Sequence, residues 1–139
     1  MSILKSVLLV EDDMIDAMAV ERAFKELNIR KALVHVKNGE EAIEYLKNNI
    51  HNMPGFILLD LNMPKMGGIE FMKIAKADEG MKKIPIIVLT TSEADQDRVE
   101  TFGLGVAGYI IKPVIRENLT KTVKTIDEYW ALSKFPDDY

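Results

Sequence analysis

Residues 6–13 read SVLLVEDD and residues 56–60 read FILLD, so that in both places a short apolar run ends in carboxylates. Similar runs follow at 84–90 (IPIIVLT) and at 108–112 (GYIIK). Continuous apolar runs of this length are typical of strands that are covered on both faces, as in a parallel sheet between layers of helices. A run at 32–36, ALVHV, is interrupted by His35 and predicts an edge strand.

Between these runs, the apolar residues change to helical spacing. The helical sets are Ala17, Val20, Phe24 and Leu27; Ala42, Ile43 and Leu46 after a helix start at Asn38-Gly39; Ile69, Met72 and Ile74; and Ile115, Leu119, Val123, Ile126 and Trp130, reaching to about Leu132. A weaker, acid-rich helix is expected at 93–100. Five alternating strand and helix units predict an α/β fold with a parallel sheet and right-handed crossovers.

The composition fits one globular domain. The chain has 139 residues, of which 47% are hydrophobic and 29% charged, and we expect a domain at 1–132 with a short tail at 133–139. The absence of cysteine excludes disulfides, thiolate metal sites and a cysteine nucleophile. No apolar run approaches the roughly 20 residues of a membrane-spanning helix, and the N-terminus does not read as a signal peptide, which predicts a cytoplasmic protein without a membrane partner. A net charge of -4 argues against direct nucleic-acid binding.

Chemically capable side chains follow the predicted strands. They are Glu11 and Asp12 after the first strand, Asp60 after the third, Thr90 after the fourth and Lys112 after the fifth. Since ligands bind at the carboxyl ends of parallel strands, we expect these side chains to share one site. Each has an ordinary alternative role as a helix cap or a solvated side chain.

A carboxylate cluster favours a hard cation. Two carboxylates within about 4 Å repel each other by roughly 4 kcal/mol at an effective dielectric of 20, which a cation would relieve. Oxygen ligands favour Mg²⁺, with Mn²⁺ as a substitute. Such a metal beside a carboxylate and a lysine describes a phosphoryl-transfer site, in which Asp60 is the natural acceptor, while Lys112 and Thr90 each contact one phosphoryl oxygen.

Five segments resemble one protein family, the receiver domains of two-component response regulators. They are VLLVEDD at 7–13, ILLDLNMP at 57–64, Gly67-Gly68, IPIIVLTTS at 84–92 and GYIIKP at 108–113. The resemblance runs from about Val7 to Leu132 and implies a flavodoxin-like, doubly wound (βα)5 fold with strand order 2-1-3-4-5.

The resemblance implies a role for each matching residue. Asp60 corresponds to the phosphorylated aspartate, Asp12 to a direct metal ligand, Glu11 to a ligand through water, and Asn62 to a backbone carbonyl ligand. Asp13 is expected to cap the first helix instead of binding metal.

The same comparison implies a switch. Thr90 corresponds to the switch hydroxyl, Tyr109 to the aromatic switch residue and Lys112 to the family's lysine. The bond between Lys112 and Pro113 is expected to be cis, as is usual in the family.

The implied function is that of a phospho-acceptor signalling protein and not of an enzyme, although it would assist its own phosphotransfer and dephosphorylation. A sensor histidine kinase or hybrid kinase would donate the phosphoryl group. Output would pass to a downstream protein through the face made by the fourth helix, fifth strand and fifth helix. The aromatic stretch from Tyr129 to Phe135 either packs on the protein's own core or forms a homodimer or partner contact.

Two other functions are compatible with parts of the pattern. A magnesium-dependent phosphohydrolase also uses an Asp nucleophile, but usually has a second Asp two residues later, where this chain has Asn62. A degenerate receiver that works without phosphorylation would usually lack one of the five polar residues, all of which are present.

Overall fold

The computed structural model describes residues 5–113 and 118–132. The elements in chain order are β1 (Val7–Val10), α1 (Met14–Glu26), β2 (Leu33–Val36), α2 (Gly39–Lys47), β3 (Phe56–Leu59), α3 (Gly68–Ala77), a short 3-10 helix (Met81–Lys83), β4 (Ile86–Thr90), α4 (Asp95–Gly103), β5 (Gly108–Ile111) and α5 (Asn118–Leu132). The strands form one parallel sheet in the order β2-β1-β3-β4-β5. The predicted fold class and strand order are confirmed.

Alternate residues of the central strands face the two helical layers. In β1, Leu8 and Val10 belong to the apolar cluster that includes residues of α2 and α3, whereas Val7 and Leu9 belong to the cluster with α1 and α5. Both faces of β1, β3 and β4 are buried, which explains their continuous apolar sequences. None of the helices in the described part of the chain is long and apolar enough to cross a membrane.

Side-chain caps fix the starts of the two helices beside β1. The Asp13 carboxylate accepts hydrogen bonds from the backbone N–H groups of Ile15 (2.9 Å) and Asp16 (3.2 Å), so the predicted cap of α1 is confirmed. Asn38 caps α2 by accepting from the N–H of Glu41 at 3.0 Å. These bonds satisfy backbone donors that the first turn of a helix leaves without partners.

Both outer strands are less buried than the central three. The prediction of an edge strand at 32–36 is confirmed by β2, all of whose residues are half-buried. The prediction that β5 is buried on both faces was wrong, since its residues are half-buried or exposed. β5 is the opposite edge of the sheet and pairs with β4 alone among the described strands.

Several predicted boundaries shift by a few residues. β4 begins at Ile86 because the 3-10 helix and Pro85 come before it, and α4 begins and ends later than the predicted 93–100. In α3 the buried face includes Phe71 and Ala75 instead of Ile74, which is 39% exposed. The expected helical position Ile115 and the tail at 133–139 lie outside the described residues.

The aromatic stretch predicted from Tyr129 to Phe135 begins in the last turn of α5 that the structure describes. Trp130 stacks on Phe56 with 5.5 Å between ring centroids and packs against the cluster shared with α1. Tyr129 meets Trp130 edge to face but is largely exposed. Packing on the protein's own core is therefore correct for Trp130, while Phe135 falls in the part of the chain that the structure does not describe.

Candidate functional site

The carboxyl ends of β1 and β3 bring three carboxylates together. The backbone N–H of Glu11 donates to Val36 in β2, and that of Asp60 donates to Val10 in β1, each at 3.0 Å. These backbone hydrogen bonds place both residues at the carboxyl ends of neighbouring strands, on the same side of the sheet. One carboxylate oxygen from each of Glu11, Asp12 and Asp60 lies within 4.8 Å of the other two. The grouping expected from the sequence is present.

The Lys112 ammonium lies close to three carboxylates, those of Glu11, Asp16 and Asp60. Its Nζ is 2.5 Å from Glu11 Oε1, 2.9 Å from Asp16 Oδ2 and 3.9 Å from Asp60 Oδ2. The lysine side chain is only 12% exposed. Lys112 therefore hydrogen-bonds Glu11 and Asp16, and interacts with Asp60 through charge over a longer distance.

Burial and charge shift two pKa values. Burial, together with the Asp60 charge, raises the pKa of Glu11 to about 7, against the opposing effect of Lys112. Burial acts to lower the pKa of Lys112, but its hydrogen bonds to Glu11 and Asp16 outweigh burial, and the pKa is raised. The ammonium therefore stays charged at neutral pH.

Asp60 has spare capacity to accept an electrophile or a cation. Its side chain is buried, yet Oδ1 has no hydrogen-bond partner among the described residues. Such an atom is costly unless a ligand satisfies it. With Glu11 and Asp12 nearby, the donor set is all oxygen and anionic, and it suits a divalent cation such as Mg²⁺ or Mn²⁺.

The backbone behind Asp60 is held by close packing against a glycine. A Cβ on Gly68 would lie 2.6 Å from the Asp60 carbonyl oxygen and 2.8 Å from Leu61 Cα. The Gly68 N–H also donates to the Leu61 carbonyl at 3.1 Å. The start of α3 thus sits against the loop that carries Asp60, and only glycine fits there.

Thr90 and Tyr109 are linked through one intermediate residue. Thr90 is fully buried at the end of β4, and its hydroxyl oxygen accepts from the Ser92 N–H at 3.3 Å. The Tyr109 hydroxyl donates to the Ser92 carbonyl at 3.0 Å, and the Ser92 hydroxyl donates to Asp97 in α4 at 2.5 Å. The hydroxyls of Thr90 and Tyr109 are therefore both attached to the loop between β4 and α4.

Two features of the site differ from the sequence interpretation. The Lys112–Pro113 bond is trans, as are the other described peptide bonds, so the expected cis bond was wrong. The tertiary amide before proline leaves the trans form favoured by about 0.5–1 kcal/mol unless the fold opposes it. Asp16 was not predicted as a site residue, because a carboxylate on the first turn of an amphipathic helix looks like an ordinary surface residue.

Comparison with known proteins identifies the same fold and the same sequence pattern. The response regulator receiver domain model matches residues 7–124. The probable methanogenesis regulatory protein FilR2 of Methanothrix harundinacea is 38% identical over 127 residues, covering 89% of this chain and 82% of FilR2. The response regulator Rcp1 of Synechocystis sp. is 35% identical over 130 residues, covering 91% of this chain and 88% of Rcp1.

Solved structures of response regulators have the same fold as this chain. The phosphorylated cyanobacterial phytochrome response regulator RcpA superposes with a TM-score of 0.90 at 34% identity, covering 97% of this chain and 100% of that chain. The Mn²⁺-bound form of Rcp1 gives a TM-score of 0.86 at 33% identity, covering 95% and 99% of the two chains. The motif match along nearly the whole sequence, the sheet order and the acidic cluster beside a half-buried lysine lead to one conclusion: this chain belongs to the response regulator receiver domain family.

Proposed function

We propose that this protein receives a phosphoryl group on Asp60 from a phosphohistidine of a histidine kinase and passes the signal on by protein contact. The observation that carries this proposal is the buried Asp60 carboxylate, which has an unpartnered oxygen, two carboxylates beside it and the Lys112 ammonium at 3.9 Å. A nucleophile, a metal site and a fixed positive charge are thereby available within one site.

The proposed cofactor is Mg²⁺, which Mn²⁺ can replace. Asp12 and Asp60 would bind it directly, Glu11 through water and Asn62 through its backbone carbonyl. When bound, the ion offsets the negative charge of the carboxylates and of the phosphoryl oxygens. Asp12 is exposed to solvent, which suits the binding of an ion that exchanges with solvent.

In the proposed reaction an Asp60 carboxylate oxygen attacks phosphorus. An O–P bond forms while the P–N bond to the donor histidine breaks, and the electron pair of that bond stays on the imidazole nitrogen, which takes up a proton. The Lys112 ammonium and the Thr90 hydroxyl each hydrogen-bond one phosphoryl oxygen. Most of the catalytic effect would come from position and charge, because phosphoryl transfer needs little covalent help from the protein. The same groups would assist hydrolysis of the phosphoaspartate.

Output would depend on the loop between β4 and α4. Phosphorylation adds charge and acceptor oxygens near Thr90. If the Thr90 hydroxyl turns to donate to them, its bond from the Ser92 N–H is lost, and the Ser92 carbonyl that holds Tyr109 shifts with the loop. The surface expected to change is the α4, β5 and α5 face; Val99 and Phe102 of α4 and Ile111 of β5 are exposed side chains of these elements. A downstream protein, or a second copy of the chain, would read this surface in the cytoplasm.

Solved structures similar to this chain include a cyanobacterial phytochrome response regulator and two bacteriophytochrome response regulators. This favours a phytochrome-type sensor or hybrid kinase as the phosphoryl donor.

Incubation with Mg²⁺ and acetyl phosphate tests the proposed acceptor. Intact mass spectrometry should show one added phosphoryl group on the wild-type chain and none on Asp60→Asn. Asp13→Asn is the matched control, since asparagine preserves the cap of α1 and Asp13 lies outside the acidic cluster; it should be phosphorylated like the wild type. Absence of modification on the wild type would favour a degenerate receiver, and steady release of phosphate from monoesters would favour the phosphohydrolase.

A further inference from the structure

Lys112 is held by a carboxylate that does not belong to the acidic cluster. Asp16 Oδ2 accepts from Lys112 Nζ at 2.9 Å, but Asp16 is not among the three carboxylates that approach one another within 4.8 Å. The two residues stand 96 positions apart, on the first turn of α1 and just after β5. Asp16 therefore contacts the lysine from outside the acidic cluster.

The backbone holds Asp16 in place for this contact. Its N–H donates to the Asp13 carboxylate at 3.2 Å, which fixes the first turn of α1. The Asp16 side chain is 17% exposed and that of Lys112 12%. A charge-assisted hydrogen bond in such a sheltered place is stronger than a similar pair on the surface.

The Asp16 contact limits how many N–H groups of the Lys112 ammonium remain for another acceptor. A lysine ammonium has three N–H donors. Glu11 and Asp16 engage two of them at 2.5 and 2.9 Å, so that, among the residues the structure describes, one donor is left for a further acceptor. Asp60 Oδ2, at 3.9 Å, is too distant to accept it in the resting site. A phosphoryl group on Asp60 would extend beyond the carboxylate and would bring an oxygen closer to that donor.

We propose that Asp16 is a positioning residue for phosphoryl transfer: together with Glu11 it fixes the Lys112 ammonium where the remaining N–H meets a phosphoryl oxygen on Asp60. This proposal rests on the proposed function of Asp60. Without the Asp16 carboxylate, Lys112 keeps one strong partner and its ammonium can turn about the Glu11 contact. The reaction would therefore slow because the ammonium is misplaced in the transition state, whereas binding of the phosphoryl donor would be unchanged.

The test is the rate of phosphorylation by acetyl phosphate at saturating Mg²⁺, followed by intact mass spectrometry as a function of donor concentration. Asp16→Ala should lower the maximal rate constant about tenfold, with the half-saturating donor concentration changed less than about twofold. Asp16→Asn keeps an acceptor oxygen and should recover part of the loss, to within about threefold of the wild type. Glu21→Gln, which removes one negative charge from an exposed position of the same helix, should match the wild type.

Two further measurements separate positioning from damage to the fold. The Mg²⁺ affinity of Asp16→Ala should stay within about twofold of the wild type, because Asp16 lies outside the acidic cluster. An equal loss of Mg²⁺ affinity and rate would overturn the proposal, as would a maximal rate for Asp16→Ala at or above that of the wild type. A rate above that of the wild type would mean that Asp16 acts only by repelling the incoming anion, and an equal rate that it does not position Lys112.

The wild-type chain distinguishes failure of this inference from failure of the proposed function. If the wild type is phosphorylated, Asp60→Asn is not, and Asp16→Ala matches the wild type, the inference alone fails. If the wild type takes up no phosphoryl group, the proposed function fails and takes the inference with it.

Discussion

Replacement of Gly68 by alanine should destabilise the protein through the backbone that carries Asp60. The added Cβ would lie 2.6 Å from the Asp60 carbonyl oxygen and 2.8 Å from Leu61 Cα, and both neighbours are main-chain atoms. A main chain within the buried sheet edge cannot turn away as a flexible side chain would, so α3 and the loop must separate.

The size of the effect follows from two opposing contributions. Overpacking of this kind costs roughly 1–3 kcal/mol. Alanine in place of glycine in a helix returns at most about 1 kcal/mol, and less at the first position of α3. We therefore expect Gly68→Ala to lower the free energy of unfolding by about 1–2 kcal/mol. Because the displaced atoms belong to Asp60 and its neighbour, the variant should also be phosphorylated more slowly.

Gly103→Ala supplies the matched control. It makes the same substitution within a helix, but its Cβ would meet no atom within 4 Å. This variant should be unchanged or gain about 0.4–1 kcal/mol from the reduced entropy of the unfolded chain. Urea denaturation of both variants measures the difference. Equal stability of Gly68→Ala and Gly103→Ala would refute the argument that the close approach at α3 holds the Asp60 loop.

Three further predictions concern the metal, a helix cap and the tyrosine. A tenfold excess of Mg²⁺ over its dissociation constant should stabilise the wild type by about 1.4 kcal/mol, as measured by thermal unfolding, and Asp12→Asn should lose most of this gain because one carboxylate of the cluster is gone. Asn38→Ala should cost about 1 kcal/mol in urea denaturation, since it removes the cap of α2, whereas Asn38→Asp should keep most of the stability. Tyr109→Phe should cost about 1 kcal/mol in urea denaturation by removing the bond to the Ser92 carbonyl. It should still be phosphorylated at the wild-type rate, and a slower reaction would show that Tyr109 does more than respond to the loop.

The sequence was sufficient to predict the sheet because its central strands have an unambiguous pattern. VLLV and FILL are buried on both faces, and no alternating or helical periodicity competes with that assignment. It was less informative for α4, where Thr101 is the buried residue and the acidic residues carry no apolar stripe. The 3-10 helix at Met81–Lys83 was missed because three residues are too few to show a period.

The residues of the candidate site that follow strands were predictable from the sequence, because they depend only on the order of the strands. Glu11, Asp12, Asp60 and Lys112 follow strand ends, and the topology of a parallel sheet alone brings strand ends together. Asp16 could not be found in this way, because its contact with Lys112 depends on how α1 packs beside the end of β5. The geometry of the Lys112–Pro113 bond likewise depends on the surrounding loop, about which the local sequence gives only a weak preference.

The pairing of Lys112 with Glu11 joins residues 101 positions apart in the chain. Because Asp60, the last carboxylate of the cluster, also precedes Lys112 in the chain, synthesis from the N-terminus makes the whole acidic cluster before the cation that partly compensates it. A partly folded intermediate without β5 would hold several uncompensated carboxylates at one edge, and their repulsion would loosen that edge. Docking of β5 would both complete the sheet and bring one compensating positive charge to these carboxylates. The proposed capacity for phosphorylation would then depend on β5, because that strand carries Lys112 into the site.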